Sequence, residues 1–313
     1  MSQIQPGGRK RSMQLLSIYR ELAKSGIVAL VLISVLGGYL AGHPFEQPLS
    51  LGRMIHTLMG IFLLAAGSSA LNQLQEVRTD SAMPRTARRP IPSGRITVRH
   101  AAIFCGVTLG AGLALLYLLD FAVFWMGIAA VFSYNVLYTL WWKRHWAFAA
   151  IPGAIPGALP ILMGYTAAHG DPWAPGGLFL FFILFYWQMP HFWSLAIRFR
   201  DDYAQGGVPT LPVSHGDGPT RFHIMLWSFT YVALGFAGTF FLRTGWVYLV
   251  IAALTGAKVL QELAKYLKAS ELNPGDQKPW LPYFLWVNFS LIFYVFGAVA
   301  DLWSVYLVPY IKG

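Results

Sequence analysis

A chain of 313 residues that is 56% apolar, 16% aromatic and only 12% charged is too apolar for a soluble domain of ordinary composition. Its mean hydropathy of +0.51 points to a membrane protein crossed many times by its own chain. The net charge of +10 would suit nucleic acid on a polar domain, but no polar stretch is long enough to build one, which excludes that class of partner.

In chain order, residues 1–25 carry Arg9, Lys10, Arg11, Arg20 and Lys24 without a small-residue cleavage signal, and read as a retained basic tail on the cytoplasmic side. Residues 26–313 read as one membrane domain. Apolar runs near bilayer length predict nine spans: Gly26–Ala41, Met54–Leu71, His100–Leu118, Phe121–Trp142, Ala147–Ala168, Gly176–Ile197, His223–Leu242, Trp246–Gln261 and Leu281–Val299. All but Arg53, Arg243 and Lys312 of the 23 lysines and arginines fall in the tail, at the connections after the second, fourth, sixth and eighth spans or, for Lys258, in the last turn of the eighth span. That alternation predicts an all-α membrane protein of nine transmembrane helices with the N-terminus cytoplasmic and the C-terminus outside. A bacterial inner membrane is the simplest address.

The stretch from Asn72 to Thr97, NQLQEVRTDSAMPRTARRPIPSGRIT, carries the first chemical signal. Asn72, Glu76 and Asp80 recur every four residues, so on a helix they line one face and can share one hard cation. Mg²⁺ takes a few carboxylate oxygens together with water and phosphate oxygens, and Arg85, Arg88 and Arg89 follow at once to neutralise a polyphosphate. The chemistry predicted is ionisation of a diphosphate ester. Topology alone would need the arginines but has no use for acids on successive turns. Further on, the fifth span holds Pro152, Pro156 and Pro160 with Gly153 and Gly157, a helix that must kink and is expected to line a cavity.

The second signal lies at the end of the sixth span, in YWQMPHFWSLAIRFRDDYAQGGVPTLPV. His191, flanked by Trp187, Phe192 and Trp193, is placed to serve as base, hydrogen-bond donor or iron ligand, with aromatic rings to bracket a flat hydrophobic substrate. The connection that follows, Arg198 to Arg221, falls on the same side as the arginine-rich loop by the charge count, so one site can use both. Cys105, the single cysteine, lies within a span as a packing residue. No Walker or GxGxxG signature supports nucleotide chemistry.

The segment WQMPHFWSLAIRFRDDYAQGGVPTLPV resembles the signature of the protoheme IX farnesyltransferase family, within the UbiA-type intramembrane prenyltransferases. The first loop fits the same pattern through Asn72, Asp80, Met83, Arg85, Thr86, Arg89, Pro90 and Gly94, with Glu76 where aspartate is usual. The resemblance extends through nearly the whole chain. It implies helices around a central cavity open to the cytoplasmic side and laterally to lipid. It further implies transfer of a farnesyl group from farnesyl diphosphate to a vinyl group of haem B with addition of water, giving haem O and diphosphate. On it, Asn72, Glu76 and Asp80 would hold Mg²⁺, and Arg85, Arg88 and Arg89, with Lys143 and Arg144, would bind diphosphate. Asp201 and Asp202 would complete a second metal site, while His191, with Trp187 and Trp193, would face the haem. Membrane lipid and a downstream haem-modifying enzyme are the other partners it suggests. Two alternatives are a prenyltransferase acting on a quinone precursor or chlorophyll pigment, and a transporter. The latter would set its charges near the midplane rather than at one face.

Overall fold

The computed structural model describes residues 6–272 and 278–311, with side chains from 13 to 305, and every regular element among them is helical. A short helix, α1 (Pro6–Leu22), bends into α2 (Ser25–Ala41), and α3 (Leu51–Gln75) passes into the six-residue α4 (Val77–Ala82). After an irregular loop come α5 (Val98–Leu119) and α6 (Phe121–Val131), the latter continued by a π-helical stretch over Phe132–Trp142 and a last turn, α7 (Lys143–His145). Then follow α8 (Ala150–His169) and α9 (Pro175–Arg198), and two short helices, α10 (Arg200–Gln205) and α11 (Leu211–His215). The chain continues with α12 (Asp217–Phe236), α13 (Gly238–Phe241), α14 (Trp246–Leu272) and α15 (Trp280–Ile311).

Eight of these units are long and apolar enough to cross a bilayer. The ninth is the pair Met13–Leu22 and Ser25–Ala41, bent by 60° at Ala23 and Lys24. The stretch expected to be a tail is thus helical from residue 6, and Lys24 lies at the bend with a left-handed backbone (φ 50°). Three helix starts carry side-chain caps. Ser50 accepts from the Arg53 N–H, Thr97 from that of His100, and Asp120 from those of Ala122 and Val123.

The elements that frame the site are packed through small residues. A Cβ on Gly38 of α2 would run into the Ile161 carbonyl, and one on Gly164 of α8 into the Val35 carbonyl, so these two helices touch backbone to backbone. Pro156 and Pro160 lie inside α8 and each removes an intrahelical hydrogen bond. In the π-helical stretch Asn135 and Thr139 are fully buried. Asn135 donates to the Ser68 carbonyl at 2.9 Å, and the Thr139 hydroxyl to the carbonyl of Tyr134 at 2.8 Å. This winding brings a polar strip of α6's continuation against α3, and π-helical turns recur at functional sites for that reason.

Gly164→Val should overpack the α2–α8 contact at about 1–3 kcal/mol, read as a fall of several degrees in the Tm of the detergent-solubilised protein. Gly106→Val, where an added Cβ meets nothing within 4 Å, is the control expected to leave Tm unchanged. Equal Tm values for the two variants would contradict the close approach.

Candidate active site

Asn72, Glu76 and Asp80 sit where α3 gives way to α4. The helix breaks at Glu76, yet the four-residue rhythm survives: Glu76 N–H donates to the Asn72 carbonyl at 3.0 Å and Asp80 N–H to the Glu76 carbonyl at 2.8 Å. The three side chains therefore keep one face. They are buried, at 2%, 5% and 0% exposure respectively. A buried carboxylate is costly unless it is paired.

Each donor has a cation. Arg89 Nη1 donates to both Asp80 oxygens at 2.7 and 2.6 Å, Lys143 Nζ to Glu76 at 2.6 Å, and Lys24 Nζ to the Asn72 amide oxygen at 2.7 Å. The Asn72 amide nitrogen in turn donates to the Thr139 hydroxyl at 3.2 Å, which fixes its orientation. Arg89 and Lys143 are two of the cations expected at a diphosphate. Lys24 is one that the sequence reading assigned to the tail. At the bend between α1 and α2 its ammonium is turned inward to the donor cluster, where it can meet an anion.

The other expected residues divide by place. Arg85 lies 3.6 Å from Asp202 and over the ring of Phe199, so the arginine loop and the connection after α9 meet across one site. Gly206 supports that meeting, since a Cβ there would strike Met83. Arg88 is exposed, and Arg144 donates to the Gln75 carbonyl at 3.3 Å from an exposed position on the same rim. The side chain of Asp201 is 90% exposed and pairs loosely with Arg200 at 3.8 Å, so Asp201 and Asp202 are not brought together. Among the described residues no three His, Cys, Asp or Glu side chains converge into a metal cage.

Directly inside the bundle lies an apolar cavity of about 220 Å³. Lys24 stands at its polar end, and Ile61, Ala65, Tyr134, Gly157 and Met163 are among its walls. Gly153, Pro156, Gly157 and Pro160 of α8 line it, while Pro152, expected with them, does not. Tyr134 stacks on Tyr138 at 6.0 Å between ring centres, giving two aromatic faces near the donor cluster that sequence reading did not single out. The π-helical winding that brings Tyr134 to the cavity leaves no mark on hydropathy.

His191 takes its place in a stack rather than an open wall. Its ring lies between Trp187 at 4.6 Å and Phe284 at 5.0 Å, the Asn288 side chain hydrogen-bonds it, and Nδ1 is buried without a partner. Trp187 donates to the Val287 carbonyl at 2.9 Å. Trp193, grouped with them in the sequence reading, is turned away: it is fully buried and packs edge-on to Phe148 and Trp227. No surface of it is left to meet a substrate, which corrects that assignment.

The model of the UbiA prenyltransferase family matches residues 31–289. A protoheme IX farnesyltransferase from Bdellovibrio bacteriovorus is 44% identical over 290 residues, 93% of this chain and 98% of that one. The chain belongs to the UbiA prenyltransferase family. As a fold, this prenyltransferase superposes on a digeranylgeranylglyceryl phosphate synthase with a TM-score of 0.74 at 17% identity, over 91% of this chain and 98% of the other. It also superposes on a UbiA homologue from Archaeoglobus fulgidus, solved with GPP and Mg²⁺, with a TM-score of 0.66 at 18% identity over 90% and 99%. The UbiA prenyltransferase is therefore a multi-pass membrane enzyme, and the cluster at the end of α3 is its candidate active site.

The Arg85–Asp202 pair is long and partly exposed, with side chains 43% and 23% accessible, and such pairs contribute at most about 1 kcal/mol. A double-mutant cycle of Arg85→Ala with Asp202→Asn, read by unfolding, should return a coupling within that bound while prenyl transfer by Arg85→Ala falls at least about ten-fold. A coupling well above it, with activity kept, would make Arg85 a structural residue.

Proposed function

We propose that this prenyltransferase joins the farnesyl group of farnesyl diphosphate to a vinyl group of haem B (protohaem IX), with addition of water, giving haem O and diphosphate. The observation that carries the reading is the apolar cavity whose polar end is Lys24, beside the buried Asn72, Glu76 and Asp80. From Ile61 to Asn72 along α3 is eleven residues, or about 16 Å of helix, a depth suited to several isoprene units lying extended below a diphosphate. The relatives' name supplies the acceptor, and the 44% identity over most of both chains supports carrying it here.

The donor set fits Mg²⁺. Two carboxylates and an amide oxygen on one face are hard ligands, and Mg²⁺ with a diphosphate completes its shell from phosphate oxygens rather than from an all-protein cage. In the resting site Arg89 holds both Asp80 oxygens, Lys143 one Glu76 oxygen and Lys24 the Asn72 oxygen, and a metal diphosphate would supply a new partner to both members of every pair. Asn72, Glu76 and Asp80 would hold the ion, and Asp202, paired with Arg85, is the further carboxylate proposed to serve a second one. When bound, Mg²⁺ neutralises charge that develops on the leaving diphosphate.

The chain's own residues do the rest. Arg85, Arg88 and Arg89, with Lys24, Lys143 and Arg144, bind the diphosphate and take up its charge as the carbon–oxygen bond breaks and the electron pair leaves with it. The cavity walls keep water from the allylic cation, and the faces of Tyr134 and Tyr138 offer it π density. The vinyl carbon then forms the new carbon–carbon bond, water adds to the resulting cation and a proton is released. His191, whose Nδ1 has no protein partner, is the group proposed to face the porphyrin, as iron ligand or as acceptor of that proton. The loops bearing this site are proposed to be cytoplasmic, in a bacterial inner membrane.

Membranes containing the chain, given haem B and farnesyl diphosphate, should yield haem O by mass spectrometry; a prenylated product lacking porphyrin would sink the acceptor. Asp80→Asn should lower turnover by at least about a hundred-fold with insertion retained, because it removes a metal ligand and leaves Arg89 with a neutral partner. EDTA should inhibit the parent protein. Ala65→Phe should fill the cavity part-way down, raising KM for farnesyl diphosphate about ten-fold more than for geranyl diphosphate. An unchanged ratio would remove the cavity from the reading.

A further inference from the structure

Beside the diphosphate site, at the same end of the bundle, a pocket of about 310 Å³ opens between the end of α9, α10 and the facing ends of α12, α14 and α15. Its walls carry the arginines Arg198, Arg200 and Arg221 and the aspartates Asp201, Asp202 and Asp217, with Tyr266 and Trp280. Asp217 serves two of the arginines, at 3.3 Å from Arg200 and 3.6 Å from Arg221. Asp202 is committed to Arg85, and Asp201 reaches into solvent. Counting Arg85, four guanidinium groups therefore meet three carboxylates, and Asp201 contributes only a loose, exposed contact to Arg200. Arg221 is only 19% exposed, it is tethered by the Tyr266 hydroxyl, and its Nε is buried with no partner. Arg198 makes a cation–π contact over Trp280 at 5.8 Å and pairs with no carboxylate among the described residues. A network that served only to tie helix ends together would match its charges. This one retains donors for an anion.

Trp280 also joins the pocket to His191. Its ring stacks on Phe284 at 4.8 Å, Phe284 on His191 at 5.0 Å, and His191 on Trp187 at 4.6 Å, a continuous row of rings running from the charged end into the bundle. Arg198 and His191 are seven residues apart on α9, which is two turns, about 10 Å, on nearly the same face. That separation is of the size of a porphyrin. Haem B has its two propionate carboxylates along one edge and its vinyl groups on the other side of the ring, so an anion site at the membrane surface would turn the vinyl edge inward.

We propose that the pocket lined by Arg198, Arg221, Tyr266 and Trp280 binds the propionate carboxylates of the acceptor porphyrin and thereby sets which edge faces the prenyl donor. The proposal rests on the reading of haem B as acceptor. Arg221 and Arg198 are the ligands, and Asp217 positions Arg221.

Titrating the purified full-length protein with haem B and with its dimethyl ester, followed by absorption, separates the two readings. The parent protein should bind the diacid about ten-fold or more tightly than the ester, as expected for one or two charge-assisted contacts. Arg198→Gln and Arg221→Gln should each erase most of that preference while binding farnesyl diphosphate as before. Arg198 is exposed and bound to no helix partner by an ion pair, so its variant serves where Arg221→Gln does not fold. Equal affinity for diacid and ester, in a protein that still makes haem O, overturns the pocket and leaves the acceptor standing. Binding of neither, with no porphyrin product, overturns both.

Discussion

Two buried carboxylates must each be met by a positive charge and the buried amide beside them by hydrogen bonds, and most of the architecture around the site follows from that. Asn72, Glu76 and Asp80 come from one short stretch of chain, but their partners Lys24, Lys143 and Arg89 come from three different places: the α1–α2 bend, the end of the long helix through α6, and the loop after α4. Buried ion pairs are poor sources of net stability, because the loss of hydration offsets most of the attraction, and well-packed apolar residues would hold the same helices as firmly. Their retention here therefore points to use. The two ion pairs balance each other's charge and Lys24 adds one further cation, so positive groups are held in place before any diphosphate arrives and little reorganisation is left to the moment of bond cleavage.

The apolar part of the site answers a different requirement. An allylic cation in contact with water is lost to hydrolysis, so the same structure must present charge at one end and exclude solvent at the other. The α2–α8 contact through Gly38 and Gly164 and the prolines of α8 achieve this jointly. Close approach of two backbones leaves no space for water on one side, while the missing side-chain bulk and missing N–H groups along α8 leave a hollow on the other. Low polarity around the hollow also strengthens the arginine and lysine contacts at its mouth.

How much of this the sequence carried differs by type of signal. The spans were legible because bilayer thickness imposes a length and topology imposes a charge alternation, although hydropathy does not reveal that the first span continues a bent helix. The Asn72–Glu76–Asp80 face was legible from spacing, and survived a helix break because the i to i−4 bonding continued through it. Lys24 was not, since a lysine at the head of a span looks the same whether it fixes topology or turns inward to an amide. The grouping of Trp193 with His191 neglected helical angle: four residues, as from Trp187 to His191, return nearly to one face, whereas two residues lead to the opposite one. The meeting of Arg85 with Asp202 joins residues far apart in the chain, and no local pattern encodes it.

One helix bears on both halves of the reaction proposed. Gln188 of α9 lines the apolar cavity and donates to the Ala154 carbonyl of α8 at 2.9 Å, while Trp187 and His191, on an adjoining face, pack against α15. Three residues along a helix rise only about 4.5 Å, so Gln188 and His191 are separated by little more than the angle between two faces. Pro190 lies between them, inside α9, and cannot donate to the carbonyl of Tyr186. The backbone is thus loosened at the level where a prenyl chain on one face and a porphyrin edge on the next would come nearest. A straight, fully bonded helix at this place would be a rigid wall; Pro190 gives α9, like the prolines of α8 across the cavity, room to yield.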